Sequence, residues 1–283
     1  MKSRNQIYIF SFFTILCCGY LQSDNSQTDK SFQEQSMLAV LYAQTSAEFA
    51  ANNIQVYNNA ITAIDKALKD TTWTAALEQK GNFSSKTPAI IIDVDETVLD
   101  NSAFQARTIL EGFSYPEGWI DWGLEESADA VAGVSKFLNY ADQKGVKIFY
   151  VTNRVSELEE STKANIINLK LPFDEDIDVL LMKGENDWTS DKVSRRSLIA
   201  NEYRIILLVG DQLTDFISSE EATLEDISRK ELASKYENMW GSKWFMITNP
   251  MYGRWEYSLY DNKYPGSEEN QIQLRKESLR PEK

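Results

Sequence analysis

The stretch Pro88–Phe104, PAIIIDVDETVLDNSAF, drives an apolar run straight into a crowd of acids. Ala89 to Ile92 lead into Asp93, Asp95 and Glu96, with Asp100 close behind. A continuous rather than alternating apolar run suits a strand buried on both faces. Acids gathered at the end of such a strand repel one another, and burial makes that repulsion costly unless a cation sits among them.

Outward from this stretch the pattern repeats. Similar runs occur in VKIFYVTN from Val146, IDVLLMK from Ile177, RIILLVGD from Arg204 and WFMITNP from Trp244. Helical stretches such as ADAVAGVSKFLNYADQKG and SELEESTKANIINL lie between them, and Gly145 stops one of these. The alternation predicts an α/β fold with a doubly wound, mainly parallel sheet over residues 88–260. Residues 36–87 read as an N-terminal helical addition of two or three helices. There Tyr57, Ile61, Ile64 and Leu68 recur at helical spacing, as core packing rather than a cofactor site. Residues 101–126 hold five aromatics without a clear period and read as a small helical, aromatic insertion beside the site. The charged tail, 261–283, is expected to be mobile.

Composition narrows the chemistry. The chain of 283 residues has no histidine and a net charge of −14. The first fact excludes Ser-His-Asp and Cys-His catalysis, phosphohistidine intermediates and ordinary His-ligated zinc. The second argues against a nucleic-acid polymer as partner, since that needs a basic face to replace counterions. A small anion still fits if a metal or a few basic groups reverse the field locally.

The two cysteines, Cys17 and Cys18, are adjacent and follow Lys2, Arg4 and the apolar run IYIFSFFTIL. A charged start and a short apolar middle predict an export signal, and the run is too short to favour a membrane span. ILCC before Gly19 resembles a bacterial lipoprotein box with Cys18 as the acylated residue; an ordinary signal peptide cut nearby is the alternative. The expectation is a lipoprotein-type signal at 1–18 and a polar tether at 19–35. The protein would then be exported to the cell envelope, as an outer-membrane lipoprotein held by its lipid or as a periplasmic protein.

Ligands in open parallel sheets sit beyond the carboxyl ends of the strands. The first end offers Asp93, Asp95, Glu96 and Thr97, the second Thr152, Asn153 and Arg154. The third leads through a loop to Lys192, and the fourth offers Gly210, Asp211 and Asp215. Convergence of Asp93, Asp95 and Asp211 calls for a cation, and all-oxygen donors favour a hard one, with Mg2+ suited to a site that also holds phosphate. A free aspartate there can attack phosphorus. A second Asp two residues along lies on the same side of an extended chain and can protonate the leaving oxygen. Thr152 and Lys192 supply donors and charge for phosphoryl oxygens.

DVDET, VTN, Lys192 and GDQLTDF together resemble the four ordered motifs of the haloacid dehalogenase (HAD) superfamily of aspartate phosphatases. IIIDVDETVLDNSAF with LLVGDQLTDF resembles the paired signatures of bacterial class C acid phosphatases, the lipoprotein 5'-nucleotidase family. YAQTSAEFAANNIQVYNNAITAIDKAL, GWIDW and NPMYGRWE extend the similarity from about Met37 to Tyr257. The resemblance implies Asp93 as nucleophile and Asp95 as general acid/base. It implies Mg2+ held by Asp93, the Asp95 backbone carbonyl, Asp211 and, through water, Asp215. Thr152 and Lys192 would position the phosphate, and Trp119 and Tyr252 would sandwich a nucleoside base. Small phosphomonoesters follow as substrates, among them nucleoside monophosphates and the nicotinamide mononucleotide type, at acidic pH. Phe104 departs from the family's usual Tyr, and Trp122 and Asn153 have no firm role.

Other readings stay open. DVDET is no EF-hand, lacking Gly at Val98 and an acid at Phe104. Lys192 stands near Lys183, Arg195 and Arg196 and could be one of several solvated charges. Arg154 reads as a rim or salt-bridge residue, and Glu96 and Asp100 as local support. A phosphotransferase of the same fold is an alternative, as is a non-catalytic surface or storage protein, although such relatives typically lack the nucleophile.

Overall fold

A computed structural model describes residues 31–223 and 226–282. Its strands are β1 (Pro88–Ile92), β2 (Leu99–Asp100), β3 (Asp129–Ala130), β4 (Lys147–Val155), β5 (Leu180–Lys183), β6 (Arg204–Gly210) and β7 (Trp244–Met246). The helices are α1 (Ser31–Glu34), α2 (Met37–Thr45), α3 (Ala47–Lys69), α4 (Ser102–Glu111), α5 (Trp119–Leu124) and α6 (Val134–Gln143). They continue as α7 (Glu159–Asn168), α8 (Val193–Glu202), α9 (Ser219–Ala222), α10 (Asp226–Lys235), α11 (Arg254–Tyr257) and α12 (Glu268–Glu277).

Five strands form one sheet in the order β5-β4-β1-β6-β7, with every pairing parallel. Successive side chains on a strand face opposite ways, so a strand buried at every position is covered on both sides. Residues 89–92 and the whole of β6 meet that condition. From β1 the chain winds outward through β4 to β5, then crosses back to β6 and β7. The order therefore reverses between β1 and β6, where an open α/β sheet leaves a crevice. This is the predicted doubly wound architecture. The antiparallel pair β2–β3 is additional and braces the loop after β1.

Ser46 caps α3, its hydroxyl accepting from the Phe49 N–H. One stripe of α3 (Tyr57, Ala60, Ile64 and Ala67) is buried in the main core. The C-terminal segment, expected to be mobile, instead carries α12 docked on the body. Arg275 Nε reaches Glu256 Oε1 at 2.6 Å, Gln33 Nε2 reaches Glu268 Oε1 at 3.1 Å, and the Arg275 guanidinium lies 4.8 Å from the Phe32 ring centre. Charge in that tail is thus partnered as well as solvated. No helix among the described residues is long and apolar enough to cross a membrane.

Arginines that look solvated in the sequence are internal. Arg196, on the first turn of α8, is fully buried. Its Nε and Nη2 meet Glu78 Oε1 at 2.9 and 2.7 Å, and its Nη1 donates to the carbonyls of Thr214 and Asp215 at 3.0 and 3.1 Å. It thereby fixes the 3₁₀ turn Leu213–Asp215 that follows β6. Truncating one partner of a buried pair strands the other charge, so Arg196→Ala should lower unfolding free energy by about 3–5 kcal/mol. Urea denaturation measures this; a loss under about 1 kcal/mol would contradict the assigned role.

Candidate active site

The ladder continues one residue past β1: the Asp93 N–H donates to Val209 O at 3.0 Å, which fixes Asp93 beside β6. The chain then turns tightly, with the N–H groups of Val98 and Leu99 both donating to Val94 O at 2.8 and 2.9 Å. Glu96 takes up the left-handed conformation at φ +58, unusual for a residue with a side chain. Its Oε1 accepts from the Asn101 N–H at 2.9 Å, and Asp100 Oδ1 accepts from the Ser102 N–H at 2.8 Å. These two acids hold the loop. Burial raises the Glu96 carboxyl well above the usual carboxylate range, with Asp95 and Asp211 adding to the effect. From α3, the buried Tyr57 hydroxyl donates to Thr97 O at 2.5 Å.

Across the crevice, Asp211 follows β6 and Asp215 ends the 3₁₀ turn. Asp215 Oδ2 accepts from the Gln212 N–H at 2.9 Å. Gly210 leaves room for this carboxylate, since a Cβ there would collide with the Asp215 side chain. Lys192, immediately before α8, is buried and donates from Nζ to Asp93 Oδ1 and, at 2.6 Å, to Asp215 Oδ1. It is no solvated charge. Thr97 Oγ1 donates to Asp93 Oδ2 at 3.3 Å. Asp211 Oδ2 accepts from Gln212 Nε2 and Asn249 Nδ2, both at 2.8 Å. One oxygen each from Asp93, Asp211 and Asp215 then lie within 4.8 Å of one another.

When all three carboxyls are ionised, one ammonium leaves a deficit of two positive charges in a site largely withdrawn from water. Burial pushes the Asp93 carboxyl up to about 7, Lys192 opposing it and Asp215 and Asp95 reinforcing it. Burial also raises Asp211 well above its ordinary range, helped by Asp93 and Asp215. Burial would lower Lys192, but Asp215 and Asp93 outweigh it and hold the ammonium protonated. A divalent cation among these oxygens removes the deficit, and the donor set, all carboxylate, is that of a hard ion.

A second group lies alongside. Asp95 Oδ1 accepts from Arg154 Nε and Asn101 Nδ2, both at 2.9 Å, and Asp95 Oδ2 lies 3.4 Å from Thr152 Oγ1. Thr152 is fully buried, and its hydroxyl also accepts from the Arg154 N–H at 3.0 Å. Arg154 forms the salt bridge the sequence suggested, but it is interior, not on a rim. Asn153 is exposed and serves structure: its Nδ2 donates to Ser190 O at 3.1 Å and its Oδ1 accepts from Arg195 Nη2 at 2.8 Å.

Trp119 opens α5 and is half-buried, 5.1 Å from the Phe104 ring and 5.9 Å from that of Tyr115, both edge-on. Phe104 itself is buried against Phe113, Trp119 and Trp122. A hydroxyl-free ring there is core packing. Trp122 is buried as well and donates from Nε1 to Asn101 Oδ1 at 2.8 Å. Tyr252 is half-buried on the small cluster of Val40, Ile109 and Met251, three residues beyond Asn249. Among the described residues no ring contact joins Trp119 to Tyr252. Cys18 and the rest of the expected signal lie outside the described residues.

The sequence reading missed Asn101, Gln212 and Asn249. Gln212 stands inside GDQLTDF, and Asn249 follows β7, so the strand-end rule applied to the fifth strand would have found it.

Two comparisons bear on this geometry. The profile of the HAD superfamily, subfamily IIIB (acid phosphatase), matches residues 20–255. The class C acid phosphatase from Bacillus anthracis superposes with a TM-score of 0.78 at 31% identity, covering 89% of this chain and 99% of that one. The same enzyme with tungstate bound gives a TM-score of 0.77 at 30% identity over the same shares. With the profile spanning most of the chain, this protein belongs to the HAD superfamily, subfamily IIIB, and is an acid phosphatase, a phosphomonoesterase.

Proposed function

We propose that the protein is a Mg2+-dependent phosphomonoesterase that works through an aspartyl-phosphate and acts on nucleoside 5'-monophosphates. The observation that carries this reading is the charge deficit of two around Asp93, Asp211 and Asp215, with Lys192 already engaged. Asp93, the Asp95 backbone carbonyl, Asp211 and, through water, Asp215 would hold Mg2+, which when bound supplies charge neutralisation for the phosphoryl group.

The chain's own groups do the rest. An oxygen of Asp93 attacks phosphorus, and the electron pair of the breaking P–O bond passes to the leaving oxygen, which takes a proton from Asp95. Water then attacks the phospho-enzyme, its proton goes to Asp95, and the Asp93 carboxylate is released. Lys192 supplies a fixed positive charge beside the reacting carboxylate, preorganised by Asp215. The Thr152 hydroxyl, next to Asp95, positions the phosphoryl oxygens.

Asp93→Asn should abolish turnover, by more than about 10⁴-fold, with the fold intact by circular dichroism. EDTA should silence the wild type until Mg2+ returns. Turnover by Asp93→Asn or activity in chelator would each overturn the mechanism.

Half-buried aromatic surface at Trp119 and Tyr252 supports a base as the leaving group's recognition element. Stacking is worth roughly 1–3 kcal/mol per base. Tyr252→Ala and Trp119→Ala should therefore raise KM for a nucleoside monophosphate about tenfold while leaving that for glycerol 2-phosphate within twofold. Equal changes for both substrates would count against nucleotide recognition.

Export with a lipid on Cys18 is part of the same reading and rests on the charged, then apolar, then ILCC sequence. Cys18→Ser should move the enzyme from the membrane fraction to the soluble fraction on cell breakage; unchanged membrane association would refute the anchor.

A further inference from the structure

Arg154 is 2% exposed, and its polar groups are committed in three directions. Nε donates to Asp95 Oδ1 at 2.9 Å, Nη1 to Thr162 Oγ1 at 3.2 Å and Nη2 to Asn101 Oδ1 at 3.1 Å. The guanidinium lies 5.4 Å from the Trp119 ring centre. A planar fork held at this many points cannot swing. Asn101, fully buried, is oriented by the same network. Its Oδ1 accepts from Arg154 Nη2 and from Trp122 Nε1, so the opposite end of the amide, Nδ2, must face Asp95, to which it donates at 2.9 Å.

Both donors converge on one oxygen of Asp95. Oδ1 receives two hydrogen bonds of 2.9 Å, whereas Oδ2 has only the 3.4 Å approach of Thr152 Oγ1 among the described residues. A hydrogen on Oδ1 would collide with two N–H groups already pointing there. We propose that Arg154 is the positioning residue of the reaction: with Asn101 it occupies Asp95 Oδ1 and so makes Oδ2 the oxygen that hands its proton to the leaving group. This deepens the proposed mechanism and rests on Asp95 being the proton donor.

The step balances. Asp93 oxygen forms the new bond to phosphorus, the P–O pair moves to the leaving oxygen, and that oxygen takes the hydrogen from Asp95 Oδ2. The negative charge that appears on Asp95 is delocalised onto Oδ1, where Arg154 is already in place and need not reorganise. Among the described residues Asp95 is the one carboxylate paired with this buried cation, so the two are matched in both directions.

Proton donation matters most when the leaving oxygen is a strong base. The test compares benzyl phosphate, with an alkoxide leaving group, and p-nitrophenyl phosphate, with a weakly basic one; both carry an aromatic ring, so changes in stacking cancel. In the Mg2+-loaded enzyme, Arg154→Ala should lower kcat/KM for benzyl phosphate about 100-fold or more and for p-nitrophenyl phosphate less than tenfold. Arg154→Lys keeps a cation in the buried position and covers failure of the alanine variant to fold; it should show the same bias at about tenfold. Asp95→Asn should show the full bias, and adding Arg154→Lys to it should cost little more. Equal losses for both substrates in the Arg154 variants, with the bias present in Asp95→Asn, would overturn the role of Arg154 alone. Absence of the bias in Asp95→Asn would overturn the proton-donor reading and this inference with it.

Discussion

One ammonium group among three crowded carboxylates is the constraint on which the site depends. Lys192 bonds Asp93 and Asp215 together, and Asp211 sits beside them on two amide donors. Burial raises Asp93 and Asp211, mutual repulsion adds to it, and a single lysine does not offset the two. Such an arrangement is unfavourable for folding taken alone. It is favourable for a protein that must attract a cation and a phosphoryl group to one point, because the unmet charge is what recruits the cation.

The backbone delivers these groups at low conformational cost. Two parallel strands bring Asp93 and Asp211 to adjacent ends of the sheet at the place where strand order reverses. Gly210 lets the Asp215 carboxylate fold back over the end of β6, and Arg196 pins the turn that carries it. The wider chain is acidic, with a net charge of −14, yet Arg154, Lys192, Arg195 and Arg196 are all interior around this crevice. Cations in a low-dielectric surrounding act more strongly than the solvated acids of the surface, which are screened. These cations offset only part of the acid at the crevice, so an anionic substrate needs a bound cation as well.

Much of this was legible in the sequence, for a physical reason in each case. Short continuous apolar runs alternating with helical stretches fit strands buried on both faces, so the sheet followed from AIII and RIILLV, and polar residues at strand ends marked the crevice. Lys192 was readable as a positive charge for phosphoryl oxygens, whereas its bonds to Asp93 and Asp215 appear only in the packed structure. The buried arginines were not readable, since a charged residue on a helix or strand end is ordinarily solvated, and only tertiary packing reveals that Arg195 donates to the Thr152 and Asn153 segment. The docked α12 was hidden likewise: its sequence has no apolar stripe, and it is held by an ion pair, hydrogen bonds and a cation–ring contact rather than by a buried face. Phe104 was conspicuous only against a family pattern, and its place among three aromatic rings gives the substitution a packing role.

Asp93 and Asp95 are chemically identical and two residues apart, and their surroundings make them different. Val94 between them is fully buried and anchors the turn through its carbonyl, so the two flanking side chains share the crevice side. Asp93 faces Lys192 and other carboxylates, an environment that, once a cation is present, favours the charged form the proposed nucleophile requires. Asp95 faces a fork of fixed N–H donors on one oxygen and a hydroxyl on the other, which suits the proposed proton donor by holding it in place. Separate partners for each carboxylate divide the labour within DVD, and those partners come from β4, α4's N-terminal end and the residue before α8, elements far apart in sequence. The division is a property of the assembled sheet rather than of the motif.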